Sequence, residues 1–158
     1  MHAPFTIPAA ADVTEFETLQ RQRAAEVETI ACVDIGIIGV AENGRGPLSV
    51  PVWYAYAPGQ EVGFVTAKAS RKARLLEKGR RISLCVQIET VPYKYVSVEG
   101  PAIAIEPADL EGDARPLARR NLGTEEGDAY IEATGGGIEN ALICMWPERC
   151  YTADHGQE

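Results

Sequence analysis

Between Thr66 and Arg81 the sequence reads TAKASRKARLLEKGRR, where Lys68, Arg71, Lys72, Arg74, Lys78, Arg80 and Arg81 supply seven of the chain's 15 Lys and Arg against one acid, Glu77. The run carries +6 inside a chain of net charge -8, which leaves -14 for the rest. Positive charge gathered within a repelling field suits a small anion held locally, and not DNA, RNA or an anionic bilayer. Ser70-Arg71-Lys72 at a helix start, just after a strand ending in Thr66, has the makings of a phosphate cradle. Free backbone N–H groups and the Ser hydroxyl donate there. The guanidinium of Arg71 can fork onto two phosphate oxygens, and Lys72 adds a mobile point charge. Arg71, Arg74 and Lys78 are also spaced i, i+3 and i+7, as on the solvated face of an amphipathic helix, and spacing alone does not separate the two readings.

Other chemistries have little to stand on. The two histidines, His2 and His155, lie near the chain ends, so a Ser/His/Asp or Cys/His arrangement or a histidine-ligated metal has few parts. There is no Walker A sequence, and Gly36-Ile37-Ile38-Gly39 lacks the G-x-G turn of a dinucleotide fingerprint; these glycines read as small residues where strands pack. Cys32, Cys85, Cys144 and Cys150 form no C-x-x-C pair and sit in or beside apolar stretches, which favours buried thiols in a reducing compartment over disulfides or metal ligands. The start, MHAPFTIPAAADVTEF, has neither Lys or Arg nor a long apolar core, and IGIIGVA at 35–41 is shorter than the roughly 20 residues a membrane helix needs. A soluble, cytoplasmic protein whose chemistry resides in a bound cofactor is the expectation.

The elements that must position such a cofactor follow from periodicity. With 158 residues, 46% of them hydrophobic, the chain suits one domain spanning residues 1–158. Thr14-Glu15-Phe16-Glu17 has the form of a capping box and opens a helix to about residue 27. Strands are expected over 29–41, 48–57, 61–66, 81–89, 95–106 and 138–146, with a turn at Glu42-Asn43-Gly44-Arg45-Gly46-Pro47. In the second strand Leu48, Val50, Val52, Tyr54 and Tyr56 share one face, and Ser49, Pro51, Trp53 and Ala55 share the other. Pro51 cannot donate to a ladder and marks an edge, a bulge or a break in pairing. Ser70 caps a short helix with Ala69, Ala73 and Leu76 inward and Gly79 ending it. A polar helical region runs from Pro107 to about Leu122, restarting near Pro116, and a second helix covers 125–133. Successive hairpins favour an antiparallel barrel over a parallel sheet.

The stretch from Gly46 to Gly100, with PVWYAY at 51–56, FVTAKASRKARLLEKGRRISL at 64–84 and YVSVEGPA at 95–102, resembles the pyridoxamine 5'-phosphate oxidase-like split-barrel family. The order strand, Thr-x-x-x-Ser-Arg-Lys, helix, two basic residues, strand is particularly close. The resemblance implies a mainly β (α+β) fold, a six-stranded antiparallel split β-barrel with short peripheral helices. It also implies a homodimer that binds FMN or the deazaflavin coenzyme F-420 at the subunit interface. Val65, Thr66, Ser70, Arg71 and Lys72 would then hold the phosphate end, with the strand from Ser49 through Pro51, Val52 and Trp53 beside the ring system.

The chain departs from the true oxidases in having the uncharged SVPVWY where they carry a basic strand, and in lacking their C-terminal Arg-Leu segment, so vitamin B6 oxidation is not implied. PVWY resembles instead the branch that uses reduced coenzyme F-420, whose phosphodiester and oligoglutamate tail would find partners in Lys68, Arg74 and Lys78. The implied activity is hydride transfer to a small conjugated or quinone-like acceptor, with Tyr93 and Tyr95 among the candidate proton donors and no catalytic residue singled out. The alternatives are an FMN-dependent oxidoreductase and a non-catalytic flavin- or haem-binding barrel. No metal, nucleic-acid or membrane partner is expected.

Overall fold

The computed structural model describes residues 35–56, 60–76, 79–89, 91, 93–134 and 139–154. In chain order the elements are β1 (Ile35–Val40), β2 (Leu48–Tyr56), β3 (Val62–Ala67), α1 (Arg71–Leu75), β4 (Arg81–Ile88), β5 (Lys94–Pro107), a π-helical turn (Leu110–Ala114), α2 (Arg115–Leu122), α3 (Thr124–Thr134), β6 (Asn140–Met145) and β7 (Arg149–Asp154).

Period-2 alternation sets which way each strand faces. Val52 and Tyr54 of β2 are buried and Leu48, Val50 and Tyr56 pack against the core, while Ser49, Pro51 and Ala55 are exposed on the other side with Trp53 half-buried among them. Val62, Phe64 and Thr66 of β3 turn inward likewise. These inward rows close on one another as an antiparallel barrel in the order β4-β1-β2-β3-β6-β5, with β5 pairing back to β4. Tyr54, Phe64, Ile38, Leu84 and Ile143 are each 1% exposed or less and form its centre. Burial of a side chain such as Phe64 stabilises the fold by about 1.5–3 kcal/mol.

All six expected strands are present, and a seventh, β7, lies outside the barrel against Lys94–Glu99 of β5. Trp146 N–H donates to Pro101 O at 3.1 Å and Glu148 N–H to Glu99 O at 2.8 Å, so β6, the Trp146-Pro147-Glu148 bend and β7 run as one partner along β5. Where the bend passes, Gly100 is required: a Cβ there would lie 1.6 Å from the Trp146 carbonyl oxygen.

The expected polar helical region resolves into the π turn, capped by the Asp109 carboxylate accepting from Gly112 N–H, and α2 beginning one residue before Pro116. α2 and α3 form a hairpin through Gly123, whose φ of 85° favours glycine. Gly127 lets α3 settle against the Arg119 backbone of α2, and the Asp128 carboxylate bridges Arg115 and Arg119 at 2.7–2.9 Å. Arg120 anchors the hairpin to β2, its Nη1 donating to Tyr54 O at 3.5 Å and its guanidinium lying over the Tyr54 ring.

Ala69 proves exposed and outside α1, because the helix starts only at Arg71; Leu76 is buried as expected, at the helix C-cap. The capping-box helix, Cys32 and the first part of the expected 29–41 strand lie outside the described residues. Among the described residues no helix is long and apolar enough to cross a membrane.

Candidate functional site

The ladder between β2 and β3 has only three rungs, Tyr54 with Phe64, Ala55 with Gly63 and Tyr56 with Val62. Past Tyr54, β2 keeps β1 as its partner, while β3 keeps β6 as far as Ala67. Pro51, Val52 and Trp53 therefore part from Val65, Thr66 and Ala67, and all six line a cavity of about 500 Å³. Pro51 stays in register with Ile37 of β1, and a proline is at home where β3 departs, having no N–H to leave unsatisfied. The helical hairpin walls the other side with Leu117, Tyr130 and Ile131, and the Trp53 and Tyr130 rings meet edge to face, 5.3 Å between centroids.

Polar groups enter from the turn after β3. Thr66, 5% exposed, shares a hydrogen bond of 3.1 Å with the Ser70 hydroxyl, which accepts from Ala73 N–H at 3.2 Å. Lys72, two residues beyond Ser70, lines the cavity, as do Thr134 and Asn140. α1 itself is five residues long, little more than one turn, so side chains and not a helix dipole must supply positive potential here.

The seven basic residues have separate fates. Arg80 is structural, donating to Leu75 O at 2.7 Å and Ala41 O at 3.0 Å. Arg81 pairs with Glu148 and Glu99, which raise its pKa. Lys68 pairs with Glu139 at 3.5 Å on the surface, and Arg71 pairs with Glu42. Lys72 and Arg74 make no ion pair with another described residue, and Lys78 lies outside the described residues.

Of the expected site residues, Pro51, Val52, Trp53, Val65, Thr66 and Lys72 line the cavity and Ser70 stands one hydrogen bond behind Thr66. Lys68 lines a second cavity of about 580 Å³, which shares Leu110, Ala114 and Asn140 with the first. Ser49 and Arg71 line neither. Tyr93 and Tyr95 line a distinct depression at the β4–β5 turn, and burial together with Tyr151 pushes the Tyr95 phenol up. The tyrosine that does reach the main cavity is Tyr130, which periodicity did not single out; the Tyr130-Ile131 pair in a helix whose other large residues are acidic was its signal. Among the described residues Cys85, Cys144 and Cys150 form no disulfide, and burial pushes the Cys144 thiol up to about 12.

No protein-family model matches the sequence, and no curated protein matches it. Solved structures do. An F420 reductase aligns with a TM-score of 0.63 at 16% identity, over 78% of this chain and 94% of that one. A general stress protein 26-related protein of the pyridoxinephosphate oxidase family from Clostridium acetobutylicum aligns with a TM-score of 0.60 at 14% identity, over 86% and 90%. The haem storage protein HutZ from Vibrio cholerae aligns with a TM-score of 0.60 at 12% identity, over 83% and 92%. At these identities the likeness is one of fold, and the fold is the split barrel that the sequence resemblance implies.

Proposed function

We propose that this split barrel, of the pyridoxamine 5'-phosphate oxidase-like kind, is an oxidoreductase that uses reduced coenzyme F-420 to pass hydride to a small conjugated or quinone-like acceptor. The observation that carries the reading is the two-sided chemistry of the cavity between β2 and β3. Val52, Trp53, Leu117 and Ile131 offer an apolar, partly aromatic wall, and Thr66 and Lys72 offer a hydroxyl and a cation. A planar ring system bearing a phosphate has the same two parts. The volume of about 500 Å³ lies within the roughly 300–1,000 Å³ usual for small-molecule sites.

In this reading Trp53 packs against the ring, and the main chain of Pro51–Trp53, open on the side that β3 has left, supplies hydrogen-bonding groups along its edge. Lys72 balances phosphate charge, with Thr66 and Ser70 donating beside it. When bound, the reduced deazaflavin supplies the hydride; the chain's own residues bind, orient and exclude water. No buried histidine or nucleophile is needed, in keeping with two histidines near the chain ends. The adjoining second cavity, lined by Lys68 together with Glu106 and Glu139, leaves room for a ligand longer than FMN. Met145, the one methionine among the described residues, is 1% exposed in the barrel core and is not placed to ligate a haem iron. A homodimer fits the outer face of β1, where exposed Ile35 and Ile37 stand in register with Trp53 and Pro51 to make an apolar surface beside the cavity.

The test is a side-by-side fluorescence titration of F-420 and FMN. Micromolar binding of F-420, tighter than FMN, is expected. Lys72→Ala should weaken it about 10-fold or more, since charge-assisted hydrogen bonds contribute about 1.5–3 kcal/mol. Absence of binding by both ligands would end the proposal. Light scattering at twice the chain mass checks the dimer.

A further inference from the structure

Arg71, the residue best suited by its chemistry to fork onto a phosphate, is turned elsewhere. Its Nη2 contacts the Glu42 carboxylate, and the side chain lines neither cavity although its neighbour Lys72 does. Glu42 opens the β1–β2 turn, its carbonyl accepting from Arg45 N–H at 3.3 Å with Gly44 at φ 72°. The carboxylate side chain is only 17% exposed, and it makes no ion pair with any other described residue.

We propose that Glu42 is a built-in competitor for the ligand's phosphate: it holds Arg71 away from the cavity until an anion draws the guanidinium across. This inference rests on the phosphate-bearing ligand proposed above and assigns a residue that sets the affinity for it. Three features support an exchange and not a fixed buttress. Arg71 touches Glu42 through one guanidinium nitrogen, leaving its other donors for an incoming oxyanion. Its side chain is 43% exposed and sits at the first position of a five-residue helix, so it has room to swing. The turn carrying Glu42 is held independently, by Arg80 bridging Ala41 O and Leu75 O, and so keeps its place when Arg71 leaves. The consequence is selection: a ligand must bring enough negative charge to outbid a resident carboxylate, and an uncharged chromophore leaves Arg71 where it is.

The experiment compares wild type, Glu42→Gln, Arg71→Ala and the double variant in fluorescence titrations with F-420, FMN and riboflavin. Glu42→Gln is expected to tighten F-420 and FMN about threefold to tenfold, the range of an ion pair between exposed and shielded. Riboflavin, which has no phosphate, should be unaffected. The gain should vanish when Arg71 is already alanine. Unchanged or weaker binding of the phosphorylated ligands by Glu42→Gln would overturn the competitor role while leaving the cofactor reading intact. Failure of the wild type to bind F-420 and FMN would overturn both.

Discussion

A single methyl group at Gly127 tests the helical wall of the cavity. An alanine Cβ there would lie 2.7 Å from both Cα and N of Arg119 and 2.9 Å from the carbonyl carbon of Ala118. All three are main-chain atoms that cannot rotate aside, so α3 must withdraw until the 2.7 Å contact reaches ordinary separation. Helix propensity alone favours the substitution by about 1 kcal/mol. Overpacking opposes it by about 1–3 kcal/mol. Withdrawal also stretches the Asp128 contacts to Arg115 and Arg119, now 2.7–2.9 Å. The steric effect wins, and Gly127→Ala should lose roughly 0.5–2 kcal/mol in urea unfolding. Because Tyr130 and Ile131 ride on α3, the same displacement opens the cavity, and ligand affinity should fall with stability. A Gly127→Ala protein as stable as the wild type, or more so, would refute the close approach of the two helices.

Gly100→Ala should be costlier, because retreat from the Trp146 carbonyl breaks two hydrogen bonds along β5 as well as the packing; a loss of about 2–5 kcal/mol by denaturant titration is expected. Trp53→Ala should weaken F-420 binding about 10-fold or more yet leave the barrel folded, since it removes an outward ring and its edge contact with Tyr130, worth about 0.5–1.5 kcal/mol, and no core side chain. Arg119 and then Arg115 hold the Asp128 carboxyl down to about 2 against an ordinary 3.8. With the folded pKa the lower one, the pairing stabilises the hairpin above 3.8 and is lost as pH falls through about 2; melting temperatures should drop over this window in the wild type and less in Asp128→Asn. Burial should keep the Cys144 thiol unreactive towards iodoacetamide at pH 8 in the native protein and expose it on unfolding, by mass spectrometry.

The barrel strands were legible because each buries one face, and that condition writes itself into sequence as alternation: Leu48, Val50, Val52, Tyr54 and Tyr56 share a face as read, and it is the inward one. β7 escaped for the complementary reason. Lying outside the barrel, it has only Cys150 packed against the core and no alternating inward row to mark, and Tyr151 is 66% exposed. The π turn was also out of reach, since residue types in a polar helical stretch do not distinguish its hydrogen-bond spacing from that of an α-helix. Within the site, Pro51–Trp53 and Val65–Thr66 could be named from short segments. The wall from Leu117, Tyr130 and Ile131 could not, being brought in by tertiary docking of a distant hairpin. The basic run misled in one respect: Glu42, Glu99, Glu139 and Glu148, remote along the chain, fold back to neutralise much of it.

The three-rung ladder between β2 and β3 sets a limit on how this scaffold can change. Main chain bounds the mouth on both of those sides, so its breadth is decided by where pairing stops, and swapping side chains there can re-line the entrance but hardly widen it. The α2–α3 hairpin is the adjustable jaw. Variation in the size of the ligand admitted should therefore be won or lost at Leu117, Tyr130, Ile131 and the Gly123 link between the helices, with the strands serving as a fixed gauge.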